Sequence, residues 1–214
     1  MADIIRAEGI KLFGALKYPD ISISAEKATF ITGESGCGKS SLLKVFNSTL
    51  IPDEGAVFYN NRDISGFDKI DYRRRVVLVP QEVFLTDGTI RENFEFYYRL
   101  RGKRLPSDES IDNALQLCCL EYVPDMPCGL LSGGERQRVF LAVFVSFDFE
   151  VLLLDEPTAA LDEATASRLL LNLKRYCLEN GRTVAAVCHS GELVRSFADE
   201  TITVRREQKN ERDS

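Results

Sequence analysis

The 214-residue sequence contains no tryptophan, only one histidine and only two methionines. Its six cysteines (Cys37, Cys118, Cys119, Cys128, Cys177 and Cys188) form no Cys-x-x-Cys pair, so with a single histidine a structural zinc site lacks ligands at workable spacing. No secretory leader is visible, and reduced thiols in a cytosolic compartment are expected rather than disulfides. No stretch approaches 18 consecutive apolar residues; Val139 to Val145, the strongest run, follows a charged segment and suits a buried helix rather than a membrane span. An excess of positive charge is also missing. The chain carries 27 basic and 33 acidic residues, a formal net charge of −6, whereas a dedicated nucleic-acid binder carries a basic footprint. The triplet Arg73-Arg74-Arg75 reads as a solvated basic end beside a strand. Neither an internal repeat nor a low-complexity linker interrupts the chain.

What is present is a globular composition, 44% hydrophobic and 28% charged, which excludes collagen-like and wholly disordered chains. A chain of this size buries roughly 70% of its unfolded surface, so neither a disulfide nor a metal staple is required. Residues 1–32 read as short strands, among them the alternating Ile21-Ser22-Ile23-Ser24 and the apolar Thr29 to Thr32. A strand is expected over Ala56 to Tyr59, followed by a turn at Asn60-Asn61. Val76 to Val79 and Val151 to Leu154 are short buried strands. Further strands are expected near Thr183 to Val187 and Thr201 to Val204. Helices are expected from Ser40 to Phe46, from Gly133 to about Phe147 and over 163–179. The stretch from about 90 to 130 reads as a helical insertion. This alternation predicts an α/β fold with a mostly parallel sheet covered on both faces, antiparallel strands near the N-terminus, and a polar tail over 205–214.

Gly33-Glu34-Ser35-Gly36-Cys37-Gly38-Lys39-Ser40, with Ser41 beyond it, satisfies the full phosphate-loop pattern between a strand and a helix. Glycines let backbone N–H groups converge on phosphate oxygens, and the following helix opens with unpaired donors. Lys39 can reach the β- and γ-phosphates, and the Ser40 hydroxyl can complete a Mg²⁺ shell. Val151-Leu152-Leu153-Leu154-Asp155-Glu156 supplies the partner: a buried strand delivers Asp155 to its carboxyl end, where ligands bind in open α/β sheets. Asp155 is placed to hold Mg²⁺ through water, and Glu156 to polarise an attacking water.

Between these motifs lies Leu131-Ser132-Gly133-Gly134-Glu135-Arg136-Gln137-Arg138. Together the three elements closely resemble the nucleotide-binding domain of ATP-binding cassette (ABC) transporters, over about residues 4–204. The resemblance implies a P-loop NTPase with a RecA-like sheet, an N-terminal antiparallel β subdomain and an inserted helical subdomain. Approximately 1–88 and 148–204 would form the catalytic core, and 89–147 the helical region that includes the signature motif. It implies ATP and Mg²⁺ as ligands, with Ser132, Gly133 and Gly134 addressing an ATP held by a second ATPase subunit in a head-to-tail dimer. Gln81 falls where the family has a glutamine touching Mg²⁺ and the attacking water. Asp162 resembles the loop aspartate that contacts the other subunit, and His189 the switch histidine. Phe13 is the nearest match to the aromatic residue that stacks on adenine, with Tyr18 as runner-up; either could instead be packing.

Such a chain would be the stand-alone ATPase subunit of a transporter, docked on separate transmembrane permease subunits at the cytoplasmic face of the membrane. No nucleic-acid partner is expected. The Thr89-Ile90-Arg91-Glu92-Asn93 stretch has a form common in exporters, and the overall pattern looks like small bacterial cassettes assigned to metal or iron export. Phe84, Leu85 and Phe94, with Arg91 and Glu92, are the expected docking surface, and Phe96, Tyr97 and Tyr98 beside Phe94 would line its groove, although a buried core explains these aromatics equally well. The alternative is an ABC-type ATPase that transmits force to, or regulates, a membrane or cell-envelope complex without moving cargo.

Overall fold

The computed structural model describes residues 2–205; the polar tail expected over 205–214 therefore lies, except for Arg205, outside the described residues. The chain opens with strands β1 (Asp3–Leu12), β2 (Leu16–Lys17), β3 (Ile21–Ser24) and β4 (Ala28–Thr32), followed by helix α1 (Lys39–Phe46). Strands β5 (Glu54–Tyr59) and β6 (Arg62–Asp63) form a hairpin across Asn60-Asn61, both in the left-handed region with φ 49° and 62°, as a two-residue hairpin turn demands. Then come α2 (Lys69–Arg75), β7 (Val76–Val79), α3 (Ile90–Leu100), α4 (Asp108–Leu117), α5 (Gly133–Val145), β8 (Val151–Asp155), α6 (Glu163–Glu179), β9 (Thr183–Val187), α7 (Gly191–Phe197) and β10 (Glu200–Thr203).

Two sheets result. The antiparallel one has the order β2-β1-β5-β6, with β3 also paired to β1; the parallel one has the order β10-β4-β9-β8-β7. The parallel strands are short apolar runs buried on both faces: every residue of β8 and of β9 is buried. Alternate residues of these strands serve two different cores. Leu152 and Leu154 join Val77, Val184 and the helical region, while Val151 and Leu153 join Val76, Ala185, α1 and the antiparallel sheet.

The helical insertion is less regular than its sequence suggests. Only α3 and α4 are α-helical in the insertion before α5; apart from a 3-10 turn at Cys128–Leu130, residues 118–132 are irregular and tied down by backbone bonds, among them Ile90 N–H to Met126 O (3.0 Å) and Cys128 N–H to Gly88 O (2.9 Å). Asn93, with no exposed surface, closes this junction. Its side chain accepts from Thr86 N–H (2.7 Å) and donates to Thr89 O (2.9 Å). All six cysteines are free. Among the described residues no helix is long and apolar enough to cross a membrane.

Candidate functional site

Parallel register places four chain exits on one edge of the sheet. Val79 pairs with Leu154, Asp155 with Val187, and Ile31 with Val187. Gln81 after β7, Glu156 after β8, His189 after β9 and the glycine-rich loop after β4 therefore emerge side by side, at the carboxyl ends where open α/β sheets bind ligands.

The loop 33–38 curls back over the start of α1. Gly38 has φ 95°, and a side chain there would collide with the hydroxyl and ring of Tyr18, whose O–H donates to the Gly38 carbonyl (2.9 Å). Lys39 is buried, its ammonium donating to the carbonyls of Gly33 (2.9 Å) and Glu34 (2.8 Å). Cys37 is buried beside it. No side chain caps α1, so the N–H groups of its first turn, including Ser40 and Ser41, remain available to an anion.

At the neighbouring strand end, the Ser40 hydroxyl donates to Asp155 Oδ1 (2.9 Å). Burial pushes the Asp155 carboxyl above the usual carboxylate range; the Ser40 bond opposes that shift, and the adjacent Glu156 charge adds to it. Among the described residues no group of three His, Cys, Asp or Glu side chains gathers into a metal cage. The Ser40 hydroxyl and the Asp155 carboxylate are hard oxygen donors at one strand end, and the Gln81 amide, bonded to the adjacent Glu156, could add another. Such a donor set fits Mg²⁺, which is held by few protein oxygens and keeps waters.

Glu156 is the junction of the site. Its Oε1 lies 2.7 Å from His189 Nε2, and its Oε2 accepts from Gln81 Nε2 (3.0 Å). Its backbone is left-handed, φ 51°, and its carbonyl accepts from Ala159 N–H (3.3 Å) and from Gln137 Nε2 (3.1 Å). Gln137 stands within the Leu131–Arg138 run, yet the sequence assigns it no role of its own, because a glutamine in a helix reads as surface; nor does it foretell the left-handed Glu156 backbone, since a glutamate is not expected at positive φ.

Ser132 caps α5 in a capping box. Its hydroxyl accepts from Glu135 N–H, while Glu135 Oε2 accepts from Ser132 N–H (2.8 Å) and from the Ser132 hydroxyl (2.7 Å). Tyr122 O–H donates to the other carboxylate oxygen (2.6 Å), and these bonds, Tyr122 first, hold the Glu135 carboxyl down at about 2. Gly134 is required by contact, since a Cβ there would come within 2.9 Å of the Ala160 carbonyl, whereas Gly133 faces open space. Asp162 caps α6 through Thr165 N–H (2.9 Å), which keeps its carboxyl below the usual range. Ser132, Gly133 and Asp162 are exposed on the molecular surface.

Of the two aromatic candidates, Phe13 stands 68% exposed on the β1–β2 turn, and Tyr18 is buried under the phosphate loop with its hydroxyl committed to Gly38. The expected docking surface needs correction. Leu85 and Phe94 are core residues, packed with Val139 and Phe140, and are not available as anchors. Arg91 is paired at the surface with Asp125 (2.8 Å) and Asp108, so it braces the insertion and is not a free charge. What remains is a groove of about 650 Å³ that includes Lys44, Leu78, Phe84, Phe96, Tyr97 and Leu100. Tyr98 faces elsewhere, bonding Ser146 O (2.8 Å).

Residues 16–159 match the family described as ABC transporter. Among curated relatives, the chain is 32% identical over 185 residues to the probable iron export ATP-binding protein FetA of Escherichia coli (strain K12), covering 86% of this chain and 82% of FetA. It is 36% identical over 202 residues to the sulfate/thiosulfate import ATP-binding protein CysA of Vibrio vulnificus (strain CMCP6), covering 92% of this chain and 58% of CysA. The chain spans about half the length of several of the curated relatives it matches. Among solved structures it resembles the dimeric structure of MJ0796, a bacterial ABC transporter cassette, with a TM-score of 0.82 and 27% identity over 95% of this chain and 97% of that one.

Proposed function

The chain belongs to the ABC transporter family, and from that premise we propose that it is the ATP-hydrolysing subunit of a transporter, working as a head-to-tail dimer on separate membrane subunits. The observation that carries this is the Glu156 junction: one carboxylate bonded at once to His189 and Gln81, directly after the Asp155–Ser40 pair.

ATP would lie along the glycine-rich loop. Its phosphates would take the N–H groups of residues 33–41, and Lys39 would exchange the Gly33 and Glu34 carbonyls for β- and γ-phosphate oxygens. Mg²⁺, when bound, neutralises charge on those oxygens; Ser40, Asp155 and Gln81 would hold it. Glu156 orients a water and draws on its proton as the water oxygen attacks the γ-phosphorus and the bond to the β-phosphate oxygen breaks. His189 then stands beside both carboxylate and γ-phosphate, where it fixes the water and steadies the developing charge. Ser132 and Gly134, with the first N–H groups of α5, are a second anion-binding end, and in a head-to-tail pair it would close on the partner's γ-phosphate. Phe13 would stack on the adenine.

In this reading the chain sits at the cytoplasmic face of the membrane. The groove between Phe84 and Leu100 would receive a cytoplasmic segment of the permease, beside the Gln81 loop that senses the nucleotide. Export of a metal ion is the cargo reading favoured by similarity to FetA; similarity to CysA, an import protein by name, weighs against deciding direction from the ATPase alone. Identification of the membrane protein that accompanies the native chain separates transport from a force-transmitting role.

Glu156→Gln keeps the hydrogen-bonding shape and removes the carboxylate charge. Turnover should fall at least a hundred-fold while ATP stays bound, and gel filtration with ATP should show a dimer. A variant that hydrolyses ATP like the parent and stays monomeric would overturn the assignment.

A further inference from the structure

Glu156 combines two demands. Its carboxylate must face the nucleotide edge, and its backbone is left-handed, a conformation that a non-glycine residue keeps only where its surroundings impose it. The carbonyl of Glu156 is where that imposition occurs. Besides the local bond from Ala159 N–H, it accepts a side-chain bond from Gln137, which comes from α5.

Gln137 is costly as a packing residue. It is 9% exposed, and its Oε1 is buried with no partner among the described residues. Methionine or leucine would fill similar space without burying an amide oxygen unpaired. The polar group is explained by its other end, the N–H that meets Glu156. Gln137 also lies on the helix that begins at Ser132, whose exposed N-terminus is the part addressed to the partner's ATP. A further contact runs between the same two regions, Gly134 lying against the Ala160 carbonyl.

We propose that Gln137 is a positioning residue for Glu156, and that through it the signature end of α5 is linked to the carboxylate acting on the chain's own ATP. The proposal rests on the site reading given above. In a head-to-tail dimer, Ser132 of a chain touches the ATP held by the partner, while Glu156 of the same chain acts on the ATP held at its own phosphate loop. A bond from α5 to the Glu156 backbone therefore joins the two nucleotide sites through a single protomer, and a shift of α5 on closure is felt directly at the carbonyl that holds Glu156 in place.

The test uses the full chain with ATP and Mg²⁺. Gln137→Met removes the donor and conserves volume. Its kcat should fall about ten-fold with KM for ATP changed less than two-fold, since the lost bond orients the reacting carboxylate rather than binding substrate. The parent's Hill coefficient for ATP should exceed one, and the variant's should drop towards one. Amide exchange at Ala159, whose N–H shares the same carbonyl, should quicken beyond any global change.

Val143→Ala, buried further along α5, is the structural control; it should lower Tm and leave the kcat-to-KM pattern and the Hill coefficient intact. If Gln137→Met folds poorly, Gln137→Glu replaces it. An ionised carboxylate opposes the Glu156 carbonyl and a protonated one donates to it, so activity relative to the parent should recover as pH is lowered. Parental kcat and Ala159 exchange in Gln137→Met, or the same kinetic change in Val143→Ala, overturn the positioning role. A parent Hill coefficient of one overturns the link between sites. Turnover in the parent that disappears in Lys39→Ala keeps the site reading standing whichever way Gln137 falls; a parent without turnover removes both.

Discussion

Phe13 projects from a left-handed turn position, φ 54°, with two thirds of its surface in solvent among the described residues. Base–aromatic stacking is worth roughly 1–3 kcal/mol. Phe13→Ala should therefore raise the ATP dissociation constant by about ten-fold, and Phe13→Tyr should leave it nearly unchanged; calorimetry with ATP reads both. Sequence alone could not separate Phe13 from Tyr18, because both are aromatics on one short hairpin. The difference is that Tyr18 spends its hydroxyl on Gly38 and its ring as a floor under the phosphate loop. The single histidine was singled out by the family resemblance, because a lone histidine at a strand end otherwise reads as a surface or hydrogen-bonded residue; its ring nitrogen lies 2.7 Å from the Glu156 carboxylate. Gln137 was not readable, since its partner is a backbone carbonyl and any residue type can supply one.

At the level of elements, the apolar strands and the longer helices were legible, whereas two short polar helices were not and the ten-residue β1 was read only as part of a run of short strands. Helix α6 and strand β9 occupy the residues that their periodicity predicts, Glu163–Glu179 and Thr183–Val187. Helices α2 and α7 were missed: each has seven residues, too few for a helical apolar period to show, although their caps Asp68 and Ser190 were written in the sequence. The start of α5 carries its own prediction. Glu135→Ala removes half of the capping box and the Tyr122 contact, and should cost about 1 kcal/mol in urea unfolding near pH 7. The Glu135 carboxyl is held at about 2, below its ordinary value near 4.5. Its stabilising contribution is therefore complete above about pH 4.5 and disappears as pH falls towards 2. Parent and variant should converge in stability across that acid window. A gap that stays constant from pH 7 to pH 3 would show that the carboxylate charge is not what Ser132 and Tyr122 hold.

For the whole molecule, the head-to-tail dimer proposed above shares its nucleotide site between two chains, a demand that no single chain meets. Lys39→Ala spoils the phosphate loop and Ser132→Arg blocks the signature end, so each variant alone should be inactive. A mixture should recover at most about a quarter of parental turnover, because half of the dimers are mixed at equal association and each of these carries one complete site of two, and linkage between the sites lowers that share. No recovery in the mixture, or full activity of Ser132→Arg alone, would mean that α5 does not serve a partner's ATP. The docking surface was only partly legible at this scale. Aromatic residues clustered after Gln81 announced an apolar region, but whether each ring faces the groove or the core depends on how α3 is turned against α5. Phe84 and Leu100 face outward, while Leu85 and Phe94 face in.

The alternation within β8 has a thermal consequence. Leu153 and Leu154 are adjacent in sequence yet belong to different cores, so the sheet is a party wall with both rooms leaning on it. A wall of this kind cannot be removed from one side. Loosening the helical side withdraws the support that the phosphate-loop side needs, and the reverse holds equally. Heating should therefore produce one calorimetric peak and not two, with the helical insertion melting in step with the strands that carry the site.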